Sequence, residues 1–203
     1  MTESRGYAGL TVAAFESRMA AEMTRLIERH GGRPLVAPSL REIPFEDNSA
    51  ALRFGEQLMR EGFDVLVLMT GAGTTALFEV LERRHSNSDL AAALKNTVLI
   101  ARGPKSVAAL KALGFPPTFT VPEPNTWADV ISTLDAHRPV KGLRVAVQEY
   151  GLSNPDLLTA LTQRGALVTP VPVYRWALPE DLTPLKQVVS QILDGHVQVI
   201  LVR

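Results

Sequence analysis

The strongest constraint on the fold of this 203-residue chain is a repeated unit, in which a short apolar run ends at glycine and hydroxyl residues and an amphipathic stretch follows. The clearest copies are residues 64–69 before 70–74, 97–101 before 103–106, and 144–148 before 150–151. Strands that alternate with helices in this way form a parallel sheet with helices on its faces. The pattern therefore predicts an α/β protein.

Helix ends in this pattern are marked by residues with defined capping roles. Asn154, Thr126 and Thr183 each begin an amphipathic stretch, where a side-chain oxygen can accept a first-turn N–H. Gly114 and Gly165 stand where such stretches stop, and glycine readily adopts the left-handed conformation that closes many helices. These boundaries support the alternation of strands and helices.

Two proline-containing segments, residues 34–44 and 168–174, divide the chain. Because strands tolerate proline mainly at sheet edges, we interpret both segments as paired connectors between two lobes. The first lobe then comprises residues 1–37 and 175–203 and is discontinuous. The second comprises residues 38–174, including both connector strands.

The first lobe is expected to be incomplete. It contains two apparent strands, residues 10–15 and 197–202, and two helices, the first of which places Met19, Met23, Leu26 and Ile27 on one face. The continuous apolar character of both strands is typical of a sheet covered on both faces, and so few elements bury little apolar surface. Since a bare strand edge recruits another strand, we expect a dimer through this lobe, or mobility within it.

The composition excludes several classes of function. The 21 basic residues balance the 21 acidic ones, and no run of like charge is long enough for a nucleic-acid arm or a polybasic membrane patch. No apolar stretch approaches the about 18 residues that a membrane span needs. With no cysteine, and with four histidines far from one another, no metal site is expected. We expect a cytoplasmic protein that binds neither nucleic acid nor membranes.

The strand-to-helix junctions are candidate binding positions, because helix N-termini present free N–H groups to anions and glycine permits close approach of a ligand. The alternative is that these residues are only the caps and tight turns that every α/β protein needs. Three junctions at one sheet edge favour a site. The candidates are Thr70, Gly71, Gly73, Thr74, Gly103, Lys105, Ser106 and Gly151.

The ordered set of segments resembles the uroporphyrinogen-III synthase family. The segments are the opening strand and helix with Arg18, then residues 64–74, 101–110, 145–151, 161–165 and 172–175. The resemblance implies two flavodoxin-like lobes joined by a two-stranded connector, with substrate in the cleft between them. It also implies a cofactor-independent lyase that closes the linear tetrapyrrole hydroxymethylbilane into uroporphyrinogen III and inverts the last pyrrole ring.

The resemblance adds three candidate residues. Tyr174 matches the position of a tyrosine assigned as proton donor to the departing hydroxyl, although an amphipathic residue at a lobe boundary is an equal interpretation. Arg18 could meet a propionate, although an exposed arginine in a first helical turn is commoner. Tyr150 could face a pyrrole from the cleft wall, with core packing as the alternative.

Two other functions remain open at this point. The same two-lobed architecture could sense a tetrapyrrole or a small anion by lobe closure without chemistry, which the lack of a strong acid, base or nucleophile cluster fits. A flavodoxin-like electron carrier is a third interpretation, and it would require a flavin. Incubation with hydroxymethylbilane discriminates between an enzyme and a sensor.

Overall fold

The structure, a computed structural model, describes residues 6–44 and 48–201. The strands are β1 (Thr11–Ala14), β2 (Arg33–Val36), β3 (Arg41–Pro44), β4 (Val65–Leu68), β5 (Val98–Ala101), β6 (Phe119–Thr120), β7 (Arg144–Gly151), β8 (Leu167–Ala177) and β9 (Val199–Leu201). The helices are α1 (Ala20–Arg29), α2 (Ser49–Glu61), α3 (Gly71–Glu82), α4 (Asn87–Leu94), α5 (Pro104–Ala112), α6 (Trp127–His137), α7 (Pro155–Gln163) and α8 (Thr183–Leu193).

The predicted fold class is confirmed: the chain is an α/β protein with two largely parallel sheets. It divides into two compact units, one formed by Met1–Glu42 with Trp176–Arg203 and the other by Ile43–Arg175. Each unit has its own sheet and its own buried core.

The larger unit is built on a six-stranded sheet of order β3-β8-β7-β4-β5-β6, in which the pairs from β8 to β6 are parallel. The chain moves outward from β4 to β5 and β6, and then returns to lay β7 on the other side of β4. The order of the strands therefore reverses between β4 and β7. In open parallel sheets, the carboxyl ends of the strands at such a reversal form the usual ligand crevice.

Strands β4 and β5 are apolar throughout because helices cover both faces of this sheet. All four residues of β4 are buried. Leu66 and Leu68 pack into the cluster that includes α2, α3, α4 and α5, whereas Val65 and Val67 pack into the cluster that includes α6 and α7. The carboxyl ends of the strands therefore emerge between two helical layers.

The predicted helix caps are confirmed at two positions in this unit. Thr126 and Asp129 form a capping box at the start of α6. The Asn154 side chain accepts the Leu157 N–H, 3.0 Å away, at the start of α7. At the start of α8, Thr183 is the first helical residue and its side chain is not the cap.

The smaller unit corrects the sequence interpretation of residues 34–44. Only β3 pairs with β8 as a connector, whereas β2 pairs in parallel with β1. The small sheet therefore has three strands, in the order β2-β1-β9, and the prediction of two was wrong. Pro34 led the sequence analysis to interpret this segment as a connector. It is tolerated in β2 because this strand lies at the edge of the small sheet.

The apolar face predicted for α1 is narrower than expected. Ile27 is fully buried and Met23 packs against the same cluster, but Met19 and Leu26 are 46% and 43% exposed. Ile27 packs with Val12 and Ala14 on one face of the small sheet, whereas Val188 of α8 packs with Ala13 on the other. A single helix on one face of a three-stranded sheet buries only the side chains that point at the sheet, and the side chains on either side of them remain in solvent.

Candidate functional site

The site is built from the carboxyl ends of β4, β5, β7 and β8, and its centre is Thr70 at the end of β4. The Thr70 hydroxyl accepts the Gly73 N–H at 3.0 Å and so caps α3. The Thr74 hydroxyl donates to the Thr70 carbonyl at 2.7 Å, and Thr74 is fully buried. The Thr74 hydroxyl therefore closes the turn, whereas Thr70 remains half-buried at the edge.

A residue that the sequence analysis did not select, Gln148 of β7, joins this turn to the neighbouring strand. It is fully buried. Its side-chain oxygen accepts the N–H groups of Met69 and Thr70, each at 3.2 Å, and its amide donates to the Glu149 carbonyl. A polar residue directly after the apolar run Val145–Val147 was the signal in the sequence.

The glycines of α3 are required by contacts within the protein. A Cβ on Gly73 would lie 2.0 Å from the Gln148 side-chain nitrogen, and a Cβ on Gly71 would lie 2.6 Å from the Lys105 carbonyl oxygen. Protein atoms already fill the space that a side chain on either glycine would need, so packing within the protein accounts for both glycines, and their binding of a ligand stays a prediction. Their contribution is to bring β7 and α5 against α3.

The junction after β5 lies beside the junction after β4. The contact between Gly71 and Lys105 brings the first turns of α3 and α5 together, and the Arg102 N–H donates to the Leu68 carbonyl at 3.0 Å. Ser106 is buried, whereas Lys105 is exposed. The structure therefore brings two of the three predicted junctions together, with Lys105 at the solvent side.

A further loop, which sequence analysis missed, reaches the Gly103 junction. Asn125 follows β6 with a positive φ of 60°, and its amide donates to the Val121 carbonyl at 2.9 Å. A Cβ on Gly103 would lie 3.2 Å from the Asn125 side-chain oxygen. Asparagine tolerates this left-handed conformation, so Asn125 brings the start of α6 against the start of α5.

Tyr174 reaches the Thr70 turn because β8 contains a β-bulge. Glu149 pairs with Pro172 and Gly151 with Arg175, so β8 has one more residue than β7 over this interval. The extra residue disrupts strand alternation, and the side chains of Val173 and Tyr174 are both buried in the same cluster. The Tyr174 hydroxyl oxygen lies 3.4 Å from that of Thr70, a long contact for two hydroxyl groups.

The β7 junction places a carboxylate on the site. Glu149 is only 8% exposed, and the Ser153 hydroxyl donates to one of its carboxylate oxygens at 2.6 Å. Gly151 has a positive φ of 64°, which favours glycine at this position. The backbone of Tyr150 lies in β7, but its side chain is outside the part that the structure describes.

The remaining candidate, Arg18, belongs to the smaller unit. It is exposed in the segment between β1 and α1, and its N–H donates to the Glu16 carboxylate at 3.0 Å. Arg102, Lys105 and Arg175 are the basic residues at the carboxyl edge of the larger sheet. These three carry the positive charge with which this edge could meet an anionic ligand.

The described residues show neither a metal site nor a membrane-spanning helix, and two surface hollows lie away from the junctions after β4 and β5. Residues 6–44 and 48–201 contain no group of three or more histidine and acidic side chains arranged to hold a metal ion. None of the helices in that part of the chain has the length and apolar character needed to cross a membrane. Two surface hollows, one beside Lys95 and Thr97 and one between β6 and α6, contain none of the junction residues after β4 and β5.

The acids with shifted pKa values are helix caps and surface ion pairs. Hydrogen bonds from Thr126 lower the pKa of Asp129, and those from Ser86 lower the pKa of Asp89. Arg164 lowers the pKa of Asp135 by donating to both of its carboxylate oxygens. These shifts reflect local helix chemistry and do not identify an acid or base at the carboxyl edge.

Together, the reversal of strand order and the hydroxyl groups at its carboxyl edge define the class: a doubly wound α/β protein with the architecture of a small-molecule site. The family model described as uroporphyrinogen-III synthase HemD matches residues 21–202. The chain therefore belongs to the uroporphyrinogen-III synthase family, as the sequence analysis predicted.

Individual relatives agree with this assignment. A mutant uroporphyrinogen III synthase from Thermus thermophilus has a TM-score of 0.72 at 26% identity, and the match covers 95% of this chain and 71% of that one. The wild-type enzyme from the same organism has a TM-score of 0.62 at 27% identity, with the same coverage. The Bacillus subtilis protein named "Uncharacterized protein YjjA" is 26% identical, over 97% of this chain and 71% of that protein.

Proposed function

We propose that this chain is a uroporphyrinogen-III synthase, a lyase that closes hydroxymethylbilane into uroporphyrinogen III with loss of water. The observation that carries the proposal is the pair of hydroxyl groups of Thr70 and Tyr174, 3.4 Å apart at the reversal of strand order. Because the carboxyl ends of parallel strands at such a reversal form the usual ligand crevice, we propose that the proton donor meets the tetrapyrrole here.

The proposed first step is loss of the terminal hydroxyl. Tyr174 donates its phenolic proton to that hydroxyl, the C–O bond breaks, and water leaves behind an azafulvene cation. The Thr70 oxygen already accepts the Gly73 N–H, so its own proton is available to the Tyr174 oxygen. Such a contact strengthens as negative charge develops on the phenol, which favours the transition state over the ground state.

The next steps form the ring. The substituted carbon of the last pyrrole attacks the cation, and the resulting spiro intermediate opens and recloses with that pyrrole inverted. The carbon of the inverted pyrrole that forms the last bond then loses its proton, which restores the aromatic ring. That proton returns to Tyr174 and replaces the one donated in the first step. Orientation of the flexible chain can supply up to about 7–11 kcal/mol of the barrier, so the fold need not provide a strong base.

Binding is proposed to use the carboxyl edge as an anion-binding surface. Hydroxymethylbilane carries eight carboxylates, whereas the chain has a net charge of zero. Arg102, Lys105 and Arg175 supply local positive charge, and the backbone N–H groups in the first turns of α3 and α5 add donors, those of α5 coming from the residues after Pro104. Arg18 and Tyr150 remain candidates for further contacts with the substrate, in a cytoplasmic protein that needs no cofactor.

The test is an isomer assay. The purified chain is incubated with hydroxymethylbilane, the product is oxidised, and the I and III isomers are separated by chromatography. An enzyme produces the III isomer, whereas heat-denatured protein leaves only the I isomer of spontaneous closure. A chain that binds the substrate or product but yields only the I isomer would be a sensor, and the proposed activity would then be abandoned.

A further inference from the structure

Gln148 makes two hydrogen bonds to the backbone of the Thr70 turn. It is fully buried, and one oxygen accepts both the Met69 and the Thr70 N–H groups at 3.2 Å. Its amide nitrogen donates to the Glu149 carbonyl. The side chain therefore links the backbone just beyond β4 to β7, at the carboxyl ends of both strands.

The space around Gln148 leaves the side chain little freedom. A Cβ on Gly73 would approach its side-chain carbon to 2.5 Å and its nitrogen to 2.0 Å. Gly73 thus leaves the space in which the Gln148 amide group packs against the first turn of α3. Any residue with a side chain at position 73 would displace Gln148 from the two N–H groups that it binds.

The two hydrogen bonds orient the peptide groups on which the Thr70 side chain depends. Removal of the acceptor would leave the buried Met69 N–H and the Thr70 N–H without a partner, which drives a buried turn to rearrange. Thr70 has two contacts that need its present orientation: its oxygen accepts the Gly73 N–H at 3.0 Å and lies 3.4 Å from the Tyr174 hydroxyl.

We propose that Gln148 is a positioning residue that holds the Thr70 hydroxyl against Tyr174, and so sets the orientation of the proton donor. The importance of this orientation for catalysis rests on the proposed function, whereas the orientation itself does not. Gln148 is not proposed to touch the substrate. It acts through Thr70, and its loss should lower kcat while KM changes little.

The test compares Gln148→Met, Gln148→Glu and the control Thr97→Val. Methionine keeps the length of the side chain without its hydrogen bonds, and glutamate keeps the acceptor for the two N–H groups. Thr97 is 7% exposed and donates to the Phe63 carbonyl at 2.8 Å. Thr97 directly precedes β5, at the amino ends of the strands, whereas the Thr70 turn lies at their carboxyl ends. Loss of the Thr97 hydroxyl should therefore weaken the unit without disturbing the Thr70 turn.

Three measurements separate positioning from stability: amide exchange of Met69 and Thr70, the NMR resonance of the Tyr174 phenolic carbon, and turnover. In Gln148→Met both amides should lose protection, the resonance should move, and kcat should fall roughly 10- to 100-fold, the range expected when a reacting group is misplaced by about 1 Å. Gln148→Glu should keep the amide protection and recover part of the turnover. Thr97→Val should match the wild type in all three.

The outcomes keep the two proposals distinct. If the wild type makes no III isomer, the proposed function fails, but amide exchange and the Tyr174 resonance still test the positioning. If Gln148→Met unfolds, Gln148→Asn takes its place, because its side chain is one methylene group shorter and its oxygen is withdrawn from the two N–H groups; the same measurements are then compared with Thr97→Val. A Gln148 variant whose Met69 and Thr70 amides lose protection, while the Tyr174 resonance and kcat stay at wild-type values, would overturn the inference.

Discussion

Gly71 and Lys105 are in backbone contact: a Cβ on Gly71 would lie 2.6 Å from the Lys105 carbonyl oxygen and 2.9 Å from its carbonyl carbon. The first turns of α3 and α5 are therefore packed as closely as their backbones allow. This contact brings together two junctions that are more than thirty positions apart in the sequence.

The first prediction is that Gly71→Ala destabilises the larger unit, because the added methyl group meets backbone that cannot rotate away. We expect a loss of about 1–3 kcal/mol in the free energy of unfolding, measured by urea denaturation. Gly103→Ala is the matched control, since its added Cβ would lie 3.2 Å from the Asn125 side-chain oxygen and its φ of −162° is ordinary extended backbone. Equal losses in both variants would contradict this explanation.

The contrast between these glycines shows what sequence alone could resolve. The junction positions were predictable, because the apolar runs before Thr70 and Gly103 end at strand termini in the structure. The reason why glycine occupies each junction was not predictable from the sequence. The neighbours of Gly71 and Gly73 are Lys105 and Gln148, which become adjacent only when the sheet has assembled, so a local pattern cannot distinguish close packing from an approach for a ligand.

The second prediction is that Tyr174→Phe lowers turnover while product affinity stays nearly intact. The phenol is needed mainly as charge develops on the departing hydroxyl, so we expect a fall in kcat of about 100-fold, at the low end for a lost general acid. Titration with the reaction product would show affinity within about twofold, because the ring itself remains. Tyr7→Phe in the smaller unit is the control. Wild-type turnover in Tyr174→Phe would end the proposed role.

The β8 strand explains why the position of Tyr174 needed the structure. Proline at positions 170 and 172 suggested a connector at an edge. The strand does pair with β3, but it also continues alongside β7 for most of its length. The bulge allows the neighbouring side chains of Val173 and Tyr174 to be buried in the same cluster. No local sequence pattern predicts it, because it depends on the register between β7 and β8.

The third prediction concerns the ion pair between α6 and α7. The Arg164 guanidinium donates to Asp135 at 2.7 and 2.8 Å and lowers the pKa of that carboxyl below its ordinary value of 3.8. Because the folded pKa is the lower one, the stabilisation is present above pH 3.8 and is lost as pH falls through the folded pKa. Both side chains are at least about a third exposed, so solvent screening limits the contribution to less than about 1 kcal/mol.

Urea denaturation of the wild type and Asp135→Asn at pH 7, 5 and 3 tests this dependence. The variant should be less stable at pH 7 and pH 5, and the difference should shrink at pH 3. Glu56→Gln is the control, because its Arg84 partner is 3.5 Å away and both side chains are more exposed. A difference that stays constant from pH 7 to pH 3 would show that packing, and not the ion pair, is responsible.

The fourth prediction is that the smaller unit opens before the larger one. The largest cluster of the larger unit includes Phe54, Phe78 and Leu110, whereas Val12 and Ile27 are the largest buried side chains in the main cluster of the smaller unit. Since local stability follows buried apolar contact, amides of β1 should exchange sooner than those of β4. Equal protection in both strands would contradict this prediction, and with it the expectation of an incomplete lobe.

The edge strand β9 provides a test of association through the same unit. Within the described residues it pairs only with β1, and its Ile200 side chain is 46% exposed. An exposed apolar edge recruits another strand, so we expect dimerisation at high protein concentration, seen by sedimentation, together with slower amide exchange in β9. Ile200→Lys should abolish both effects because an edge lysine opposes pairing, while Leu152→Lys, which changes an exposed residue of the larger unit, should not. Sedimentation as a monomer at every concentration would exclude this mode of association and leave early opening as the consequence of the small core.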